Sequence, residues 1–392
     1  MITLDEIKKQ EEENIKKWRR DLHMIPELEL ELPQTVKYIE TELDKMHIPY
    51  KKLLNNNAVV AIIESGKAGK TLAIRADMDA LPITEETGLS FASKNGNMHA
   101  CAHDGHMAMA LGAAKFLNSN KDLFNGNVKI IFQPGEEYPG GAKPMIDEGA
   151  LLNPKVDAII GLHAGYINPE VAPGKIGIKT GPVMASMDRF YIKVIGKGGH
   201  GAYPYKLVDS IAISAEIITS LHKIISREIS GLDSAVLSVT RIQGGCNQNI
   251  MPDSVEMEGS VRTTDERIRS YIEKRIKEIS EGIAKCYNAR AEVEYERKYP
   301  VLSNETKFTE FFEDIAKKVV GEDNVEILNR PIMGSEDMAF FLREVPGVFF
   351  FLSNPKDEKN PKSHHSSTFD INEDYLYMGT TLFINTALEY LK

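Results

Sequence analysis

Residues 71–79, Thr-Leu-Ala-Ile-Arg-Ala-Asp-Met-Asp, read as a short apolar strand (Thr71–Ala76) that runs directly into two acids, Asp77 and Asp79. The same pattern recurs twice. Val128–Phe132 runs into Gln133-Pro134-Gly135-Glu136-Glu137, and Val156–Leu162 into His163-Ala164-Gly165; Val59–Glu64 is a further apolar strand. Helical patterns lie between several of these segments, and strands alternating with helices predict an α/β fold with a largely parallel central sheet. In an open α/β sheet, ligands bind outside the carboxyl ends of the strands. Three strand ends therefore deliver acids and a histidine to one edge.

Working outward, residues 4–47 read as helices broken near Pro26 and Pro33. From Val183 the texture changes. Arg189–Ile195 alternates as a strand, a Gly-rich loop GKGGHGAYP follows, and a long helix covers Val208–Ile229. Two alternating strands (Ala235–Gln243 and Ser254–Thr263), a charged helix (Glu266–Cys286) and a strand (Ala291–Arg297) complete the run. This β-α-β-β-α-β order is the ferredoxin-like pattern, which forms a self-contained unit. The α/β pattern resumes after Pro300 with a helix over Thr306–Val320, a strand at Val348–Leu352 and a final helix. The expected organisation is a catalytic α/β domain in two parts, 1–182 and 300–392, with an inserted α+β domain at 183–299.

The chain has 392 residues and a formal net charge of −10. It has no basic footprint, which excludes nucleic acid as the expected partner. No apolar run approaches the ~20 residues needed to span a bilayer, and the N-terminus is a charged helical pattern with no apolar signal segment. Cys101, Cys246 and Cys286 are an odd and scattered set, which argues against a disulfide scaffold. The expectation is a soluble cytoplasmic protein without membrane contact.

Met98-His99-Ala100-Cys101-Ala102-His103-Asp104-Gly105-His106 concentrates imidazoles and a thiol at the junction between a turn-like loop and an Ala/Met/Leu-rich helix of about Gly105–Leu117. Thiolate and imidazole suit a borderline-soft metal such as zinc. A hydrolytic two-metal site needs several donors and one carboxylate left over as a base. The candidates are Cys101, His103, Glu136, Glu137, His163 and the pair His364-His365, with Asp77 and Asp79 either joining them or orienting a ligand from behind. Glu136 and Glu137 sit between Gln-Pro-Gly and Tyr-Pro-Gly-Gly, a constrained loop that points the two side chains apart, so one can bind metal while the other handles protons. His23 and His106 read as structural.

These motifs, together with RRDLHMIPELELEL (Arg19–Leu32), RADMDALPITEETGLSF, FQPGEEYPGGA, GLHAG, GGCNQNIMPDSVEMEGSVR and GSEDMAFFL, resemble nearly end to end the amidohydrolases that include hippurate hydrolase, auxin-conjugate hydrolases and N-acetyldiaminopimelate deacetylase. Those are relatives of aminoacylase and the carboxypeptidase G type of metallopeptidase. The resemblance implies two divalent metal ions per subunit, zinc first, with manganese, cobalt or nickel as alternatives. It makes Cys101 a bridging thiolate and His103, Glu137, His163 and His365 further ligands, with His364 a non-ligand neighbour and His99 and His106 outside the set. It makes Glu136 the general base and Asp79 the acid behind the ligands. The inserted domain becomes a lid and homodimerisation module whose His200 polarises the scissile carbonyl, often across the dimer. Asn249 and Arg262 grip the substrate, Arg262 through its carboxylate, and the Gly334-Ser335-Glu336-Asp337 turn matches a substrate-side loop.

The chain departs from the family pattern at Ala102 (Gly is usual), Gly135 (Ala often precedes the acids) and Tyr205 (commonly His); the last bears on substrate choice. The implied reaction is hydrolysis of N-acyl-L-amino acids by a metal-activated water. The alternatives are a dipeptidase or carboxypeptidase-type metal exopeptidase, a metal-free hydrolase with Cys101 as nucleophile, and a non-catalytic metal-binding protein.

Overall fold

A computed structural model describes all 392 residues. They form two compact units. The first comprises Met1–Val183, Ser303–Arg330 and Glu336–Lys392; the second comprises Met184–Leu302 and Pro331–Ser335.

The first unit is built on an eight-stranded sheet of β1 (Tyr50–Leu53), β2 (Ala58–Glu64), β3 (Thr71–Asp77), β4 (Asn127–Gln133), β5 (Ala158–Gly165), β6 (Ile176–Ile178), β7 (Val325–Ile327) and β8 (Gly347–Ser353), in the spatial order β1-β2-β4-β3-β5-β8-β6-β7. The pairings β3/β4, β3/β5, β5/β8 and β6/β7 are parallel. The pairings β1/β2, β2/β4 and β6/β8 are antiparallel. The centre of the sheet is thus parallel and its flanks are mixed. Strands β3, β5 and β8 are buried along their whole length, which explains their continuous apolar runs: with both faces covered there is no solvent side to demand alternation.

The crossover from β3 to β4 runs through the helix His103–Ser119, which is buried on nearly every side. It packs against the Leu4–His23 and Leu376–Tyr390 helices and β3. Its Ala- and Gly-rich sequence suits that position, since small side chains let neighbouring helices approach closely. The helix starts at His103 rather than Gly105 because Ala102 adopts a left-handed conformation (φ 66°) that turns the chain into the first turn. Asp104 then places a negative charge at the helix N-terminus, where the backbone dipole favours it.

In the second unit, strands Ala235–Gln243, Ser254–Thr263, Met187–Ile195 and Arg290–Tyr299 lie in that order, all antiparallel. With helices Ser210–Lys223 and Glu266–Cys286 between them in sequence, this is the ferredoxin-like topology. Alternate residues of Met187–Ile195 are buried in a separate core that includes Phe190, Ile192, Val194, Ile217 and Ile276. No helix of the chain is long and apolar enough to cross a membrane.

Candidate metal centre

Strands β3, β4 and β5 are neighbours, so the loops after their carboxyl ends meet. Asp79, just past β3, orders the loop past β4. Its two carboxylate oxygens accept the backbone N–H groups of Glu136 and Glu137, each at 2.9 Å. One carboxylate thus fixes two successive amides, and the two glutamate side chains depart from a single anchored point. Glu136 Oε2 lies 4.0 Å from His103 Nε2, and Glu137 Oε1 lies 2.9 Å from His365 Nε2.

The tautomers are set by backbone acceptors. His103 Nδ1 donates to the Asp79 carbonyl (2.8 Å) and His163 Nδ1 to the Ala164 carbonyl (2.8 Å). With Nδ1 committed as a donor in each ring, Nε2 is the nitrogen left for a metal, the arrangement typical of a metal-binding histidine. His163 Nε2 stands 3.4 Å and His364 Nδ1 3.6 Å from Cys101 Sγ. Donors around a tetrahedral zinc, with bonds near 2.3 Å to sulfur and 2.0 Å to nitrogen, lie about 3.5 Å apart. Two donor sets share Cys101: one with His163 and His364, the other with Glu137 and His365.

The residues fit a cation. His103 Nε2 is buried without a hydrogen-bond partner. Burial would lower the His103 pKa, but Asp77 and Asp79 outweigh it and raise it to about 10; the surrounding carboxylates call for a positive charge. Burial, then the Glu137 and Glu136 carboxylates, push the Cys101 thiol well above its ordinary value, so a thiolate there requires a cation beside it. Burial holds His163 far below the usual imidazole value, reinforced by His106 and His364. Burial and then the neighbouring carboxylates of Glu336, Glu137, Asp337 and Asp79 raise Glu136 well above the ordinary range, which suits a group that must hold and release a proton.

His106 is committed elsewhere: Nδ1 meets Asp77 Oδ1 at 2.6 Å and Nε2 accepts the Ala164 N–H at 2.9 Å. Both nitrogens are occupied, as expected of a structural imidazole. His99 is buried beside this region and His23 is held by Asp104 and Glu85.

The structure thus brings together Asp79, Cys101, His103, Glu136, Glu137, His163 and His365. His200, Asn249, Arg262, Gly334 and Ser335 belong to the second unit. There His200, in a short strand paired with Ile250–Met251, accepts the Ala202 N–H on Nδ1 (3.1 Å). The Asn249 carbonyl accepts the Gly201 N–H. Arg262 Nη1 donates to the Met333 carbonyl (2.9 Å) and Ser335 Oγ (3.4 Å), and the Gly334 carbonyl accepts the Ala185 N–H.

Glu336 and Asp337, the last two residues of the expected substrate-side turn, are buried and belong to the first unit, where they form part of a support behind Glu136. Asp337 accepts N–H groups from Gly141 and Ala142 (2.9 Å each), the Gln133 amide (2.8 Å) and Arg75 Nη2 (2.9 Å). Arg75 also pairs with Asp77 and Glu336. A lone arginine inside an apolar strand was the available signal, because such a charge survives burial only with partners.

A family model described as peptidase family M20/M25/M40 matches residues 73–389. The chain is 38% identical over 380 residues to an N-acetylcysteine deacetylase of Bacillus subtilis, covering 95% of this chain and 96% of that one. It is likewise 38% identical over 378 residues to thermostable carboxypeptidase 1 of Saccharolobus solfataricus, covering 95% and 94%. Among solved structures, the Bacillus subtilis YxeP protein, described as a dinuclear metal-binding peptidase from the M20 family, matches with a TM-score of 0.83 and 34% identity over 98% of this chain and 99% of that one.

Proposed function

The chain belongs to peptidase family M20/M25/M40, and from that premise we propose that it is a metal-dependent amidohydrolase cleaving N-acyl-L-amino acids to a carboxylate and the free amino acid. The observation that carries this reading is the convergence of Cys101, His103, Glu136, Glu137 and His163 around adjacent strand ends, with His103 Nε2 buried, without a hydrogen bond and facing carboxylates. The deacetylase relative favours an N-acyl amino acid as substrate. The carboxypeptidase relative supports a metal exopeptidase as the second reading.

In the proposed assignment Cys101, His103, Glu137, His163 and His365 hold two divalent ions, with zinc preferred by thiolate and imidazole and manganese, cobalt or nickel as alternatives. Such ions, when bound, lower the pKa of water toward neutrality and polarise the amide carbonyl. Glu136 takes a proton from the attacking water and hands it to the leaving amine. Asp79 keeps the Glu136 and Glu137 backbones in register while this happens. His200 donates to the oxygen on which charge develops, the interaction expected to contribute most. Asn249 and Arg262 hold the substrate, Arg262 through its carboxylate, beside Gly334 and Ser335. The proposed assembly is a cytoplasmic homodimer formed through the second unit, with domain limits near 183 and 299.

The test is a panel of N-acetyl, N-benzoyl and indole-acetyl amino acids and dipeptides, assayed after chelation and after reloading with zinc, manganese or cobalt. Hydrolysis of N-acyl amino acids that chelation abolishes and metal restores is expected. Preference for dipeptides would favour the exopeptidase, and full activity without metal would overturn the reading.

A further inference from the structure

The Arg19–Leu32 stretch has no part in the chemistry proposed above, yet it reaches each of the loops past β3 and β4, the Cys101–Asp104 turn and the loop that carries His365. Arg19 is buried. Its Nε donates to Asp104 Oδ2 (2.8 Å), its Nη2 to Asp370 Oδ1 (2.9 Å) and its Nη1 to Glu373 Oε1 (3.2 Å). The guanidinium also lies over the Phe91 ring, 5.0 Å from its centroid. Asp104 follows His103 directly, and Asp370 stands five residues after His365. Farther along the stretch, the Glu27 carbonyl accepts the N–H of Ala80, next to Asp79. Leu30 packs so closely under Gly135 that a Cβ there would come within 2.6 Å of it.

We propose that Arg19 is a positioning residue of the metal centre: one planar fork grips Asp104 and Asp370 and so fixes the Cys101–His103 turn relative to the His365 loop. This rests on the metal reading above. A guanidinium presents its donors in a rigid geometry that an ammonium cannot reproduce. The two gripped segments also contain Ala102 (φ 66°) and His365 (φ 62°), non-glycine residues in the left-handed region. Such conformations persist only where the surroundings over-determine them. The His365 N–H bonds the Ala100 carbonyl (2.9 Å) and joins the loops directly; Arg19 braces them a second time, at Asp104 and Asp370.

The experiment strips the full-length protein of metal and reloads it with cobalt(II), comparing wild type with Arg19→Lys, Arg19→Met and Asp370→Asn. The readouts are the thiolate-to-cobalt absorption, the visible cobalt bands, cobalt affinity by chelator competition, and the melting temperature of the metal-free protein. Arg19→Met is expected to lose at least about tenfold in cobalt affinity and to shift the visible bands. Arg19→Lys is expected to regain much of the metal-free melting temperature but not the bands, because it keeps the charge and loses the fork. Asp370→Asn, which leaves Arg19 in place, carries the test should Arg19→Met not fold, and is expected to shift the bands in the same direction. Wild-type affinity and bands in the variants, with only a lower melting temperature, would reduce Arg19 to a fold contact and overturn the proposal. Wild-type protein that takes up no cobalt would instead overturn the metal reading itself.

Discussion

His106 reads as structural and His163 as a donor, and their neighbours give the physical reason. His106 has one nitrogen on Asp77 and the other on a backbone amide, whereas His163 ties only Nδ1 and leaves Nε2 toward Cys101. Clustering of residue types made Cys101, His103 and the Glu136-Glu137 pair legible, because thiolate, imidazole and carboxylate are the side chains that hold such a metal. Arg19 and Arg75 were not legible in that way, because most of their partners, Asp104, Asp370 and Glu373 for one and Gln133, Glu336 and Asp337 for the other, are distant in the chain and only folding joins them. For Glu136, the residue assigned to proton transfer, Glu136→Gln should keep the metal content and lower kcat by roughly 10²–10⁴-fold; turnover near that of wild type, measured beside metal analysis, would remove it from the role.

His23 gives a pH dependence whose sign can be worked out. Burial opposes its charge, but hydrogen bonds to Asp104 and Glu85 prevail and raise its pKa to about 9. A raised pKa contributes stability that is complete below the unfolded value, about 6.5, and is lost as pH climbs through 9. The melting temperature of the metal-free protein should therefore fall between pH 7 and pH 10. His23→Gln should flatten that slope, and an unchanged slope would exclude His23 as its source.

At the scale of elements, the strands that read clearly are those buried on both faces. Strands β3, β4, β5 and β8 are apolar runs because both faces of the sheet are covered there, and the second unit's strands alternate because one face is polar. The strands that did not read are short or polar: Tyr50–Leu53 carries two lysines, and Ile176–Ile178 and Val325–Ile327 are too short for any period to show. Pairing with a neighbour, not intrinsic pattern, makes them strands. The helix expected over Val208–Ile229 is α-helical over Ser210–Lys223 and then widens to a π turn over Ile224–Glu228.

The loop after β4 is legible as a constrained turn, but not the reason for its shape. Gly141 stands where a Cβ would lie 1.8 Å from the Pro134 carbonyl oxygen, and its N–H is one of those Asp337 accepts. Gly141→Ala must push the loop open and loosen those bonds. The expected cost is on the order of 2–4 kcal/mol of stability, with about 10²-fold lower kcat/KM, since a displacement of roughly 1 Å at a catalytic group has that effect. Denaturant unfolding and steady-state kinetics would check it; a variant unchanged in both would show that the loop does not depend on this close approach.

At the scale of the whole molecule, the change of texture near residue 183 corresponds to a change of core. The first unit is centred on Ile74, Ile130, Ile160 and Phe350, the second on Phe190, Ile192 and Ile217. The sequence could not show that Pro331–Ser335 group with the second unit, because five residues carry no period and are assigned by contact alone. All the proposed metal donors belong to the first unit, so metal binding should stabilise that unit selectively. A site filled at a hundredfold excess over its Kd contributes about 2.7 kcal/mol, which for a unit of this size corresponds to a rise of roughly 5 °C or more. Calorimetry of metal-loaded protein should show two transitions. Chelation should lower the one belonging to the first unit and leave the other in place, with the assignment made by Phe190→Ala, which should lower the second alone. A single transition that moves as one on chelation, or two that move equally, would show that the metal stabilises the chain as a single cooperative body.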